Sequence, residues 1–222
     1  MLEAFERWAI DPQSSSQARA DAVQRYAFAT PTDEAVQAIK QAATSGVVEL
    51  GAGTGYWARL LHEADVDVVA FDLHPPPSLE NEFFPAAQPW FPVMPGDELA
   101  VARFPNRLLL LVWPTQDETW PATALRVFHD AGGEQVAVVG EGAGGRMGDL
   151  AFHAMLGEEP HCLHCRYGAL ASQCICELEP QWQLARRVAL PHWAPWEDDL
   201  SLYRRRDRCG KRFRRRRSRE WG

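Results

Sequence analysis

The chain has 222 residues, 46% of them hydrophobic and 24% charged, with a formal net charge of −7. That length favours one domain with a sizeable core. No apolar run approaches the roughly 20 residues of a membrane span, and the N-terminus MLEAFERWAI has neither a basic n-region nor a long apolar h-region, so a soluble, unsecreted protein of the cytoplasm or nucleus, without membrane contact, is expected. The five cysteines, an odd count with four clustered, do not read as a disulfide framework.

In chain order, SQARADAVQRYAFA reads as a helix with Ala18, Ala22, Val23 and Tyr26 on one stripe. Thr30-Pro31-Thr32-Asp33 then predicts a helix to about Ala43, with Thr30 as the N-cap, Pro31 at the first helical position and an acid at the third. Next comes VVELGAGTGYWARLL, Val47–Leu61: a β-branched apolar run, three glycines at alternate positions, then Trp57, Leu60 and Leu61 at helical spacing. Strand, glycine turn and helix N-terminus let the backbone approach a polar or anionic ligand closely. Val66 to Phe71 predicts a second strand ending in Asp72, 21 positions beyond Gly51. An acid there can accept hydrogen bonds from both ribose hydroxyls of a nucleoside.

The chain from Asp72 to Phe91 reads as proline-rich loop, and Pro92–Asp97 as a short strand plus turn. Arg107–Trp113 (RLLLLVW) predicts a central strand buried on both faces. Helix Pro121–His129, strand Gln135–Val139, helix Gly148–Leu156 and the closing strands Trp182–Ala189 and Leu200–Tyr203 complete the pattern. Alternating strands and helices predict an α/β fold with a doubly wound, mostly parallel sheet. Residues 1–205 would form one domain, with a helical cap over about 1–44 and a Cys-rich insertion at about 160–178, before the last two strands.

The glycine spacing selects among nucleotide ligands. A dinucleotide fingerprint is G-x-G-x-x-G, whose third glycine lets helix pack on strand; here Tyr56 occupies that position, which disfavours an NAD-type oxidoreductase. No G-x-x-x-x-G-K-[ST] occurs, so a P-loop is unsupported. The string E-x-G-x-G-x-G instead resembles the first motif of class I S-adenosylmethionine-dependent methyltransferases. Y-A-F-A-x-P-T-x-E-A ahead of it, VDVVAFD, W-x-P-V and LPHWAPWEDDLSLYRR after it are similar to a little-characterised branch of that superfamily. The resemblance runs from roughly Tyr26 to Arg205 and implies a seven-stranded Rossmann-like sheet and an S-adenosylmethionine cofactor. It further implies that Glu49, Gly51, Gly53 and Gly55 line the methionine side, Asp72 holds the ribose and Asp97 faces the adenine amino group. Tyr26 and Phe28 are placed to close over the cofactor, although aromatics at that spacing are more often core.

The end of the fourth strand is where such enzymes select their acceptor. Val112-Trp113-Pro114-Thr115-Gln116-Asp117 lacks the Asn/Asp-Pro-Pro-aromatic string common in enzymes that methylate exocyclic amines of bases or glutamine amides. Trp113 is a candidate wall of the acceptor pocket, and Glu141 a candidate base or cation binder, unless either is structural. The acceptor expected is a small molecule or a protein side chain. The alternative is a catalytically silent module of the same fold whose structural zinc loop and basic tail recruit protein or RNA partners.

Cys162, Cys165, Cys174 and Cys176 form C-x2-C-x8-C-x-C, two short-spaced pairs able to supply four soft ligands to a structural zinc, with His161 and His164 as substitutes. The other reading is four buried reduced thiols. The C-terminus is the last feature: residues 204–222 carry eleven Arg or Lys and two acids, a net of +9, which leaves −16 for residues 1–203. An acidic body argues against broad nucleic-acid binding by its surface. The tail from 206 onward reads as a disordered, solvated end folding back on that body, a nuclear-import signal contacting an import receptor, or an RNA-tethering arm.

Overall fold

The computed structural model describes residues 16–158, 180–192 and 196–206. Helices α1 (Ser16–Arg25) and α2 (Asp33–Ala42) lead into strand β1 (Val47–Leu50), helix α3 (Tyr56–Glu63) and strand β2 (Val68–Asp72). Strand β3 (Val93–Pro95) and a 3-10 helix (Glu98–Arg103) follow, then β4 (Leu108–Val112), α4 (Trp120–Asp130), β5 (Gln135–Gly140), α5 (Leu150–Leu156), β6 (Trp182–Ala189) and β7 (Asp199–Arg205). The sheet has seven strands in the order β3-β2-β1-β4-β5-β7-β6. Its first five pair in parallel; β7 runs antiparallel to both β5 and β6. The predicted strands and helices are all present, with their ends moved by a few residues.

Period-two alternation explains how the apolar run of β4 is buried on both faces. Leu108 and Leu110 pack with Ile39, Trp57 and Leu61 of α2 and α3, while Leu109 and Leu111 pack with Phe128 of α4 and Phe152 of α5. All four leucines are at most 1% exposed. At about 25 cal/mol per Å² of apolar area, each contributes roughly 1.5–3 kcal/mol, which makes β4 the natural axis of the sheet. The two edges are protected differently. β3 is three residues long and ends in Pro95, and β6 carries Arg186, Arg187 and a register shift between Leu184 and Arg186; proline, charge and irregularity all discourage pairing with another chain.

Two helix starts differ from the expectation. Thr30 is fully buried and does not cap; Thr32 does, its Oγ1 accepting from the Ala35 amide at 3.1 Å. The cap moves because Thr32 takes the extended conformation a cap needs and leaves Asp33 and Glu34 in the first turn, where the helix dipole favours acids. Helix α5 begins at Leu150 rather than Gly148, because the Asp149 carboxylate accepts from Phe152 N at 2.8 Å. No helix among the described residues is long and apolar enough to cross a membrane. The cysteine pairs and the basic tail beyond Arg206 lie outside the described residues.

Candidate active site

The strand order reverses between β1 and β4, so the connections leaving their C-terminal ends diverge and leave a crevice. A cavity of about 700 Å³ opens there, lined by the turn after β1, the ends of β2 and β4, and an overhang from the segments at 26–28 and 80–84. Each glycine of the turn has a left-handed backbone: φ is +70° at Gly51, +51° at Gly53 and +71° at Gly55. Three such residues in five positions strongly favour glycine. They turn the chain from β1 into α3 while keeping its amides close to the cavity.

Asp72, at the end of β2, closes this turn. One carboxylate oxygen accepts from Gly53 N at 2.9 Å and the other from His74 N at 3.0 Å. Each oxygen keeps a further lone pair for a ligand hydroxyl. Glu49 lies behind the turn at 1% exposure, and its Oε2 has no hydrogen-bond partner. Burial pushes its carboxyl up to about 8; the Ala58 amide works against that shift and the Asp72 charge adds to it. A buried, unpartnered acidic oxygen on the cavity wall fits a cationic ligand group that no residue of this chain supplies. Asp97 lies on the rim, where its Oδ1 accepts from Leu99 N at 3.0 Å and so caps the 3-10 helix.

Trp113 follows β4 with φ at +48°, an uncommon conformation for a bulky residue, costing about 1–3 kcal/mol. Its indole Nε1 donates to Asp198 Oδ1 at 3.0 Å, its amide donates to the Val139 carbonyl at 2.8 Å, and its ring stacks on Phe28 at 5.8 Å and 25°. These contacts hold the side chain on the cavity wall despite the backbone strain. Asp198 is 5% exposed; burial raises its carboxyl to about 6, with the Trp113 hydrogen bond opposing the shift.

The other sequence candidates fall in different places. Glu141 is not on the cavity wall: Arg146 N donates to its Oε2 at 2.8 Å and Glu197 N to its Oε1 at 3.3 Å, so its carboxylate ties the loop after β5 to the segment before β7. Tyr26 packs at 5.0 Å from Tyr56 and 5.6 Å from Trp90 and, though buried, lines the cavity beside Phe28, whose ring stacks on Trp113. Cys162, Cys165, Cys174 and Cys176 lie outside the described residues, and among the described residues no group of three or more His, Cys, Asp or Glu could hold a metal ion.

Sequence reasoning missed the loop after β2. Asn81, 6% exposed, accepts from Phe83 N at 3.1 Å and Phe84 N at 2.7 Å and donates to the His74 carbonyl at 2.7 Å. That side chain folds the loop and sets the Phe84 ring over Gly53, where an added Cβ would lie 2.6 Å from Phe84 Cε2. Phe28 meets the edges of Phe83 and Phe84 at 5.5 and 5.7 Å. The available signal was Asn81 two residues ahead of Phe83-Phe84, since asparagine favours turns that bond back to the chain just after it.

Compared with known proteins, the chain matches no family model and no curated protein. Solved structures similar to it include the magnesium protoporphyrin IX methyltransferase ChlM of Synechocystis with bound SAM: 12% identity over 92% of this chain and 90% of that one, TM-score 0.48. The N-methyltransferase NodS of Bradyrhizobium japonicum is 12% identical over 78% of this chain and 93% of its own, TM-score 0.43. The mitomycin 7-O-methyltransferase MmcR is 15% identical over 91% and 60%, TM-score 0.42. Such scores mark distant likenesses of shape, and the chemistry of the cavity has to be read from its own residues.

Proposed function

We propose that this chain binds S-adenosylmethionine and transfers its methyl group to an acceptor seated beside Trp113. The observation that carries this reading is the pairing of the left-handed Gly51–Gly55 turn with Asp72, backed by the unpartnered oxygen of Glu49. An S-adenosyl cofactor offers a ribose diol for Asp72, an amino group for Glu49, and a carboxylate for the amides at the start of α3. When bound it supplies a methyl group on a positively charged sulfur, already activated for displacement.

The protein's own task is then positional. Asp72 holds the ribose in the middle of the ligand and Glu49 its amino end. Phe28 and Phe84 overhang the cavity and exclude water. Trp113 is fixed by the Asp198 carboxylate and the Phe28 ring and forms the wall against which an acceptor lies. Rate enhancement in such a site comes from holding the reacting atoms in line rather than from a dedicated acid or base, consistent with Glu141 being engaged in loop hydrogen bonds.

A dinucleotide is disfavoured on two grounds. Tyr56 stands where helix and strand would need glycine, and it is 1% exposed at the first turn of α3. The position next to β5 is held by an antiparallel strand, unlike the sixth parallel strand of the dinucleotide fold. Calorimetric titration with S-adenosylmethionine, S-adenosylhomocysteine and NAD separates the readings. We expect binding of the first two and not of NAD; failure of both to bind at millimolar concentration would sink the proposal.

A further inference from the structure

The charge lining the cavity is one-sided. Beyond Glu49, Asp72 and Asp97, four more carboxylates line it: Glu80, Glu82, Glu98 and Glu118. Glu80, Glu82 and Glu118 are exposed at the mouth. Against them, the described lining residues include only two that can carry positive charge. His74 is engaged by Glu80, Nδ1 to Oε2 at 3.1 Å. The Arg146 guanidinium sits 5.2 Å from the centroid of the Trp196 ring. The wall below the mouth is aromatic: Trp113, Phe28, Phe83 and Phe84 are linked by ring contacts of 5.5 to 5.8 Å.

Acidic mouth and aromatic wall together select one kind of ligand. A low-dielectric cleft rimmed by carboxylates concentrates cations and repels phosphates and carboxylates. Aromatic faces attract an ammonium through the ring quadrupole, the more so once water is excluded.

Building on the methyl-transfer reading, we infer that the acceptor is a basic amine, drawn in as its ammonium form by the carboxylates at the mouth and held against Trp113 and Phe28. Transfer to it balances without a further reagent: the ammonium loses one proton to water at the open mouth, its lone pair forms the new N–CH3 bond, and the electrons of the broken C–S bond stay on sulfur as a neutral thioether. The mono-methylated ammonium so formed still suits an acidic, aromatic site, so a second round on the same nitrogen is chemically open.

The test uses three probes of nearly equal size: benzylamine, benzyl alcohol and benzoate. Each is titrated by calorimetry into the full-length protein saturated with S-adenosylhomocysteine, whose own binding is measured first. Benzylamine is expected to bind about tenfold more tightly than benzyl alcohol, the scale of a desolvated cation on an aromatic face, and benzoate more weakly still. In the Glu82→Gln/Glu118→Gln double variant, whose two changes lie on exposed side chains, the benzylamine preference should shrink about threefold or more. It should also shrink in 0.5 M salt, where charges separated by more than a few ångströms are screened. Benzyl alcohol or benzoate binding as tightly as benzylamine, or a preference untouched in the double variant, would overturn the inference and leave the methyl-transfer reading standing. Absence of S-adenosylhomocysteine binding would overturn both.

Discussion

Asp72 and Glu49 are both carboxylic acids on one cavity wall, yet their surroundings give them different work. Asp72 accepts two backbone amides and is partly exposed. We expect Asp72→Ala to weaken S-adenosylmethionine binding by about 1.5–3 kcal/mol, the scale of lost charge-assisted hydrogen bonds, with Asp72→Asn losing less because one acceptor oxygen survives. Isothermal titration of both variants checks this. Glu49 is pushed up to about 8 by burial, so at neutral pH the free protein holds it mainly as the neutral acid. A cationic ligand group favours its ionised form. Cofactor affinity should therefore fall as pH drops below about 8, and binding at pH 7 should release a proton, seen as buffer-dependent heats; Glu49→Gln should abolish that release. The stability sign is the reverse of the usual carboxylate case. The unfolded chain gives up this proton near 4.5 and the folded one near 8, so Glu49 lowers stability as pH rises through that window. An affinity flat from pH 6 to 9 would contradict the role given to Glu49.

At the scale of elements, the joint between α5 and the β6–β7 pair depends on a buried charged network. His153, 5% exposed, has Nδ1 2.6 Å from Glu158 Oε2 and Nε2 2.9 Å from the Met147 carbonyl. Since both partners accept, both ring nitrogens donate and the imidazole is charged. Glu158 also accepts from the Tyr203 hydroxyl at 2.6 Å and lies 3.7 Å from Arg187. Burial opposes both charges and is the largest single influence, but the hydrogen bonds and neighbouring charges together outweigh it: His153 is raised above 6.5 and Glu158 lowered below 4.5. The histidine's contribution to stability is complete below about 6.5 and lost as pH rises through its raised value; the glutamate's is complete above about 4.5 and lost as pH falls through its lowered one. Stability from this joint should therefore be greatest between those values. His153→Gln should cost about 3 kcal/mol in urea denaturation at pH 6, because it leaves a buried carboxylate without its countercharge, and the variant's disadvantage should narrow at pH 9. A cost below 1 kcal/mol at pH 6 would show the pair is not charged.

For the molecule as a whole, strand direction separates two ends of the sheet. The glycine turn, Asp97 and Trp113 follow the C-terminal ends of parallel strands, and Asp72 is the last residue of one. β7 runs the other way, pairing Asp199 with Gly140 and Arg204 with Gln135, so the chain leaves β7 at the end opposite the cavity. Arg206 is anchored there by donating to the Gln181 and Trp182 carbonyls at 2.9 and 3.0 Å. Deleting residues 207–222 should accordingly leave cofactor affinity within a factor of about two, since surface charges are screened over about 8 Å at physiological salt. A loss of tenfold or more on deletion, measured by the same titration, would mean that the tail reaches round to the mouth.

Read alone, the sequence determined what short-range chemistry dictates. The alternate glycines between Leu50 and Tyr56 specify a left-handed turn, because few other residues adopt that backbone three times in five positions. The leucines of β4 specify a strand buried on both faces, and Asp72 follows from its distance along one β–α–β unit. Only the tertiary structure decided what depends on residues far apart in the chain. The Asp198 that holds Trp113 is 85 positions away, the Phe84 over Gly53 arrives through a loop with no periodic pattern, and Glu141 binds loop amides instead of lining the cavity. The same holds for Glu49, whose type is plain in the motif but whose weakened acidity comes from burial in the assembled fold. Local backbone preference is written into neighbouring residues; burial and long-range hydrogen bonds exist only once the sheet has brought distant segments together.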